Sequence, residues 1–152
     1  DSRLSSEVGF DGTICKINKS TGLLQYSGAR NSLFLIEEGN AVKEMKVERR
    51  SVGQSKYSLN QDFETWEYSL KPGYLVMLTD GLLDAVQQTD RPRLFGKTRF
   101  ISSTEKFIRN LSLSNSKQLN DNIMKDVYLW IGEQPFRDDV TMLSIKIPSF
   151  KI

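Results

Sequence analysis

The sequence contains no histidine. This removes serine–histidine and cysteine–histidine nucleophilic triads, histidine general bases and most zinc sites. Catalysis, if present, must rest on carboxylates, hydroxyls, amines or a carboxylate-bound metal. Cysteine is nearly absent as well. With Cys15 alone, no disulfide can form within the chain, which fits a reducing cytoplasm. Cys15 lies in TICKI, where Thr13, Cys15 and Ile17 share a strand face, and it reads as a buried structural thiol. A phosphatase-type cysteine loop would need arginine where Thr21 stands. No apolar run approaches the roughly 20 residues of a membrane span, and no signal peptide is visible, although a longer parent protein could carry such segments elsewhere. Charge of one sign is also lacking. The balance of 21 basic and 19 acidic residues leaves +2, too weak to make nucleic acid or an anionic membrane the main partner.

What remains is ordinary soluble material. The 152 residues suit a single domain, with 38% hydrophobic and 26% charged residues. Residues 1–9 are polar and read as a loop. Short β-rich runs then alternate with turn signals, predicting strands near Thr13–Ile17, Leu23–Ser27, Leu33–Ile36 and Ala41–Val47, with NKSTG and EEGN as turns. ERRSVGQSKYSLNQD lacks periodicity and reads as a loop. FETWEYSL alternates as a half-buried strand, and YLVMLT is a continuous apolar strand, central in its sheet. A short helix is expected over Leu82–Gln87. Phe100, Thr104, Phe107, Ile108 and Leu111 follow helical spacing, as do Leu119, Ile123, Val127, Trp130 and Ile131. Ser114 or Ser116 is the expected cap of the second of these helices and Gly132 its end. DDVTMLSIKI supplies a last alternating strand. The class is α+β: one or two antiparallel sheets covered by two helices.

Two strand ends carry acids. Asp80 closes YLVMLT, with Asp84 one helical turn later, and Asp138–Asp139 opens the last strand. In adjacent antiparallel strands the end of one lies beside the start of the other, so these acids would converge. Converging carboxylates raise each other's pKa unless a cation neutralises them, and Mg²⁺ or Mn²⁺ prefers such oxygen donors. The plainer alternative stays open: Asp80 is a turn residue, and Asp138 pairs with Arg137 or caps a turn.

LTDGLLDA followed much later by RDDVTMLSIKI resembles the metal-dependent serine/threonine phosphatases of the type 2C (PPM) class, most closely the bacterial SpoIIE-like branch. DGTICKINKSTGLLQYSGARNSLFLI, LFGKTRF and the two helices fall in the same order as in that branch, and the resemblance covers nearly the whole chain from Gly9 onward. It implies a type 2C phosphatase-like β-sandwich of mainly antiparallel strands flanked by helices. Asp80 matches the aspartate that binds the catalytic metal pair, and Asp138 matches the second such ligand. Asp84 sits where the family often has an acid linked to an additional, weaker ion. Asp139, where eukaryotic relatives usually have asparagine, would support the ligands rather than bind directly. The implied cofactors are two Mn²⁺ or Mg²⁺ ions, with a third at the weaker position. The implied reaction is hydrolysis of phosphoserine or phosphothreonine by a metal-activated water, without a phosphoenzyme.

The resemblance also bears on context. GARNSLF is similar to segments of membrane-anchored, sensor-linked phosphatases in biofilm and stress switches. It implies a cytoplasmic domain, a parent that can be anchored in the inner membrane through an upstream sensor region, and a phosphorylated regulatory partner similar to an anti-sigma-factor antagonist. A homodimer is compatible with it. No segment resembles the family's N-terminal Asp-x-x-Gly-His-Gly-like metal motif, and Asp11 matches a later Asp-Gly strand entry. The chain is therefore expected to be one domain, residues 1–152, corresponding to the C-terminal portion of the phosphatase fold.

Other signals are weaker. FGKT lacks the glycine a phosphate-binding loop needs at Arg91. Arg91, Arg93, Lys97 and Arg99 could steer a phosphorylated protein or simply form a solvated face. Arg30 stands where GAHNP-type relatives often carry histidine. Two function classes remain: a protein phosphatase, favoured by Asp80 and Asp138, and a non-catalytic phosphatase-fold module that binds a partner, favoured by the missing N-terminal motif.

Overall fold

A computed structural model describes residues 9–37, 39, 41–53, 61–110 and 115–150. The first eight residues of the expected N-terminal loop lie outside them, as do Leu111 and Ser114. In chain order the elements are β1 (Gly12–Ile17), β2 (Leu23–Ala29), β3 (Leu33–Glu37), β4 (Val42–Glu44), β5 (Trp66–Ser69), β6 (Gly73–Leu78), α1 (Asp80–Leu83), α2 (Gly96–Asn110), α3 (Ser116–Ile131) and β7 (Met142–Ile147).

The strands form two antiparallel sheets, β1-β2-β5 and β4-β3-β6-β7. The apolar runs in β3 and β6 explain the layering. A strand that is hydrophobic at every position must be covered on both faces, and these two are central in the larger sheet. One face, with Leu33, Leu35 and Leu75, meets Leu24 and Tyr26 of the smaller sheet. The other, with Phe34, Ile36, Val76 and Leu78, meets Phe100 of α2 and Leu119, Ile123 and Val127 of α3. The result is the expected sandwich with helices packed on the larger sheet. Cys15 sits half-buried at the margin of the inter-sheet core, and burial pushes its thiol pKa up, which disfavours the reactive thiolate.

Several boundaries differ from the sequence expectation, each for a local reason. β4 stops at Glu44 rather than Val47. Met45 is buried, and its N–H donates to the Leu33 carbonyl at 2.9 Å. The short helix begins at Asp80 and ends at Leu83 instead of spanning Leu82–Gln87. The next stretch folds back on itself: Gln87 N–H bonds to Arg93 O and Phe95 N–H to Ala85 O, so backbone groups a longer helix would use are already paired. The α3 cap is Asn115, whose side chain accepts from Gln118 N–H at 2.9 Å, rather than a serine. Gly132, at φ 62°, ends that helix as expected. In the loop after β4, Arg50 is buried, hydrogen-bonds the Gln61 and Asp62 carbonyls, and stacks over Phe63. Among the described residues no helix is long and apolar enough to cross a membrane.

Candidate active site

β6 and β7 pair from Gly73 with Ile147 to Leu78 with Met142, so the end of the first lies beside the start of the second. Thr79 continues that contact beyond the ladder. Its N–H donates to Thr141 O at 3.0 Å, its hydroxyl donates to Asp139 O at 2.9 Å, and the same hydroxyl accepts from Thr141 N–H at 2.9 Å. Thr79 occupies the N-cap position of α1 but makes no side-chain cap bond, because its hydroxyl is committed to the β7 segment. Gly81 comes next, buried against that segment. A Cβ there would lie 2.5 Å from the Asp139 carbonyl oxygen and 3.0 Å from that of Asp138. The Asp-Gly pair after β6 thus lets two backbones approach closely.

The acids distribute around this junction as follows. Asp80 and Asp84 line a cleft of about 350 Å³ together with Asp11, Arg30, Ser32 and Lys97. Asp138 and Asp139 line a second, wider groove of about 760 Å³ with Asn120, Met124, Tyr128 and Phe136. All four carboxylates are on exposed residues. The Asp138 carboxylate accepts from Asp139 N–H at 2.7 Å, so it caps its own turn, as the plainer reading of the sequence allowed. The strand ends bring the backbones of the two acid segments together, while their side chains line two grooves.

The cleft also holds cations that the strand-end pattern does not reveal. Arg30 Nε lies 3.7 Å from the Asp11 carboxylate. Lys97 Nζ donates to Ser32 Oγ at 2.8 Å and to Glu44 Oε1 at 2.5 Å, and Ser32 donates in turn to Glu44. Burial pushes the Glu44 carboxyl pKa up, but the bonds from Lys97 and Ser32 outweigh it, and the net shift is downward. Asp11, just before β1, and Lys97, at the start of α2, reach the cleft from points far apart in sequence, so only the tertiary fold unites them with Asp80.

The donors do not by themselves compose a metal centre. Among the described residues no group of three or more histidine, cysteine, aspartate or glutamate side chains could hold an ion. A hard divalent ion wants about six oxygens, and Asp80 with Asp84 supplies only part of such a set.

Comparison with known proteins places this geometry. Residues 1–148 match the family model of Stage II sporulation protein E, SpoIIE. The SiaA-PP2C domain of Pseudomonas aeruginosa superimposes with a TM-score of 0.74 at 25% identity, covering 91% of this chain and 51% of that one. The Mn-presoaked phosphatase domain of the cell fate determinant SpoIIE from Bacillus subtilis gives 0.65 at 14% identity, covering 93% and 58%. The RsbU and RsbW domains of Rv1364c from Mycobacterium tuberculosis give 0.63 at 16%, covering 90% and 36%. The chain therefore spans about half the length of the first two solved chains. No curated protein sequence matches it.

Proposed function

The chain belongs to the SpoIIE-like branch of the PPM (type 2C) phosphatase family, and on that premise we propose that it forms part of a metal-dependent protein serine/threonine phosphatase. Asp80 and Asp138 are its metal-binding and catalytic carboxylates, Asp84 binds a weaker ion, and Asp139 supports the strand end through its backbone. The substrate is a phosphoserine or phosphothreonine on a small regulatory protein in a bacterial signalling pathway. Solved relatives that include SiaA and the RsbU and RsbW domains favour that partner class.

The observation that carries the reading is the double hydrogen bond of the Thr79 hydroxyl to Asp139 and Thr141. A strand end stapled this way is a rigid mount for a ligand, as a preorganised site requires. The described donors are too few to hold two ions, so this reading requires ligands in addition to them. A second reading, a non-catalytic module that binds a regulatory partner, draws on that same shortage.

Hydrolysis of a phosphothreonine peptide with and without Mn²⁺ separates the two. The phosphatase reading expects turnover that requires Mn²⁺ and disappears in Asp80→Asn when the protein carries a complete phosphatase domain, with little turnover from these 152 residues alone. Full activity in Asp80→Asn would reduce that residue to a turn former.

A further inference from the structure

Arg30 is the only non-glycine residue with positive φ among the described residues, at 55°. This backbone region disfavours bulky side chains, and residues held in it gather at binding sites. Here the conformation is enforced from several sides. Arg30 N–H donates to Glu48 O at 2.7 Å, and Asn31 N–H donates to Ala29 O at 2.6 Å. The Asn31 carbonyl also accepts from the Thr13 hydroxyl. β1, β2 and the Glu48 segment together hold Arg30 at the cleft that Asp80 and Asp84 line.

Its guanidinium is loosely engaged. The 3.7 Å approach to Asp11 is longer than a hydrogen bond, and both side chains are about half exposed, so the pair contributes little and exchanges readily. Lys97, on the same cleft, is committed to Ser32 and Glu44 at short distances. Of the two cations, Arg30 is the one free to re-pair. Its planar fork also matches two oxygens of one phosphoryl group, which a lysine cannot do.

We infer that Arg30 is the positioning residue that binds the phosphoryl oxygens of a phosphorylated side chain in this cleft, leaving Asp11 to do so, with Lys97 as a second, fixed cation. The inference rests on the phosphatase reading for the identity of the anion, but not for the binding itself. Asp11, Asp80 and Asp84 oppose the anion, so affinity is weak in the isolated chain and is best read by a method suited to weak binding.

The experiment is an NMR titration of the 152-residue protein with inorganic phosphate, against sodium chloride at matched ionic strength. Phosphate is expected to shift the Arg30 Nε–H and the Lys97 signals where chloride does not. Arg30→Gln should weaken binding about fivefold or more, and Arg30→Lys should fall between, since it restores charge but not the bidentate fork. Arg109→Gln, in the last turn of α2 and away from the cleft, should bind as the native protein does. Equal binding by Arg30→Gln and native protein, or shifts that merely follow chloride, would overturn the inference. Binding through Arg30, where a protein carrying a complete phosphatase domain never hydrolyses a phosphopeptide with Mn²⁺, would uphold it and count against the phosphatase reading. Hydrolysis with an unchanged KM in Arg30→Gln would overturn the inference and leave the phosphatase reading standing.

Discussion

Gly81→Ala sets two physical effects against each other at the acid junction. Gly81 is the second residue of α1, its φ is not in the left-handed region, and helix propensity alone favours alanine by about 0.8–1.0 kcal/mol. The structure reverses that sign. The added methyl would stand 2.5 Å from the Asp139 carbonyl oxygen and 3.0 Å from that of Asp138. These are backbone atoms of a neighbouring segment, which cannot swing away as a side-chain tip would. Relief requires separating the end of β6 from the start of β7, which strains the Thr79 bonds to Asp139 and Thr141. Overpacking of this kind typically costs about 1–3 kcal/mol. For a domain near 150 residues that lowers Tm by roughly 2–4 °C per kcal/mol. Thermal unfolding by circular dichroism should therefore show a clear drop. A Tm equal to or above native would mean that propensity wins and that the close approach at Gly81 does not hold the acids in place.

Three further outcomes follow from other parts of the fold. Asn115→Ala should destabilise by about 1 kcal/mol, because Gln118 N–H loses its cap, and urea unfolding should show a lower midpoint with an unchanged slope. Phe100→Ala, which empties a fully buried position packed on Phe34, should cost about 3–5 kcal/mol; a loss under about 1 kcal/mol would argue against helix α2 covering the sheet. The Arg50 hydrogen bond holds the Glu48 carboxyl below its ordinary value of 4.5. A depressed folded-state pKa stabilises above the unfolded value and loses that contribution as pH falls through the folded one. Stability should thus decline on acidification below about that value, and Glu48→Gln should flatten this part of the profile.

The elements whose patterns had one physical meaning were legible in the sequence. A short continuous apolar run bounded by turn signals fits a strand covered on both faces, and β6 is such a strand. The 3.6-residue spacing of Leu119, Ile123, Val127 and Ile131 buries one stripe of α3. Competition for backbone groups was not legible. The segment from Ala85 to Phe95 looks helical at its start, yet it folds back because Gln87 and Phe95 find partners across a loop. At the candidate site, the meeting of the β6 end with the β7 start could be read from two acids at complementary strand ends. Asp11, Arg30 and Lys97 could not be placed there in the same way. They come from three separate stretches of chain, before β1, after β2 and at the start of α2, and their convergence on Asp80 depends on how the sheets and α2 pack.

The central proposal is that Asp80 and Asp138, whose backbones meet at the β6–β7 junction, share one divalent site although their side chains line neighbouring grooves. Mn²⁺ titration followed by paramagnetic broadening of amide signals tests it directly, even where affinity is low. The account predicts that substoichiometric Mn²⁺ broadens the amides of Asp80 to Asp84 and of Asp138 to Val140 first, and that Asp80→Asn removes both effects together. Broadening confined to one of these segments, centred elsewhere in the protein, or unchanged in Asp80→Asn would contradict it.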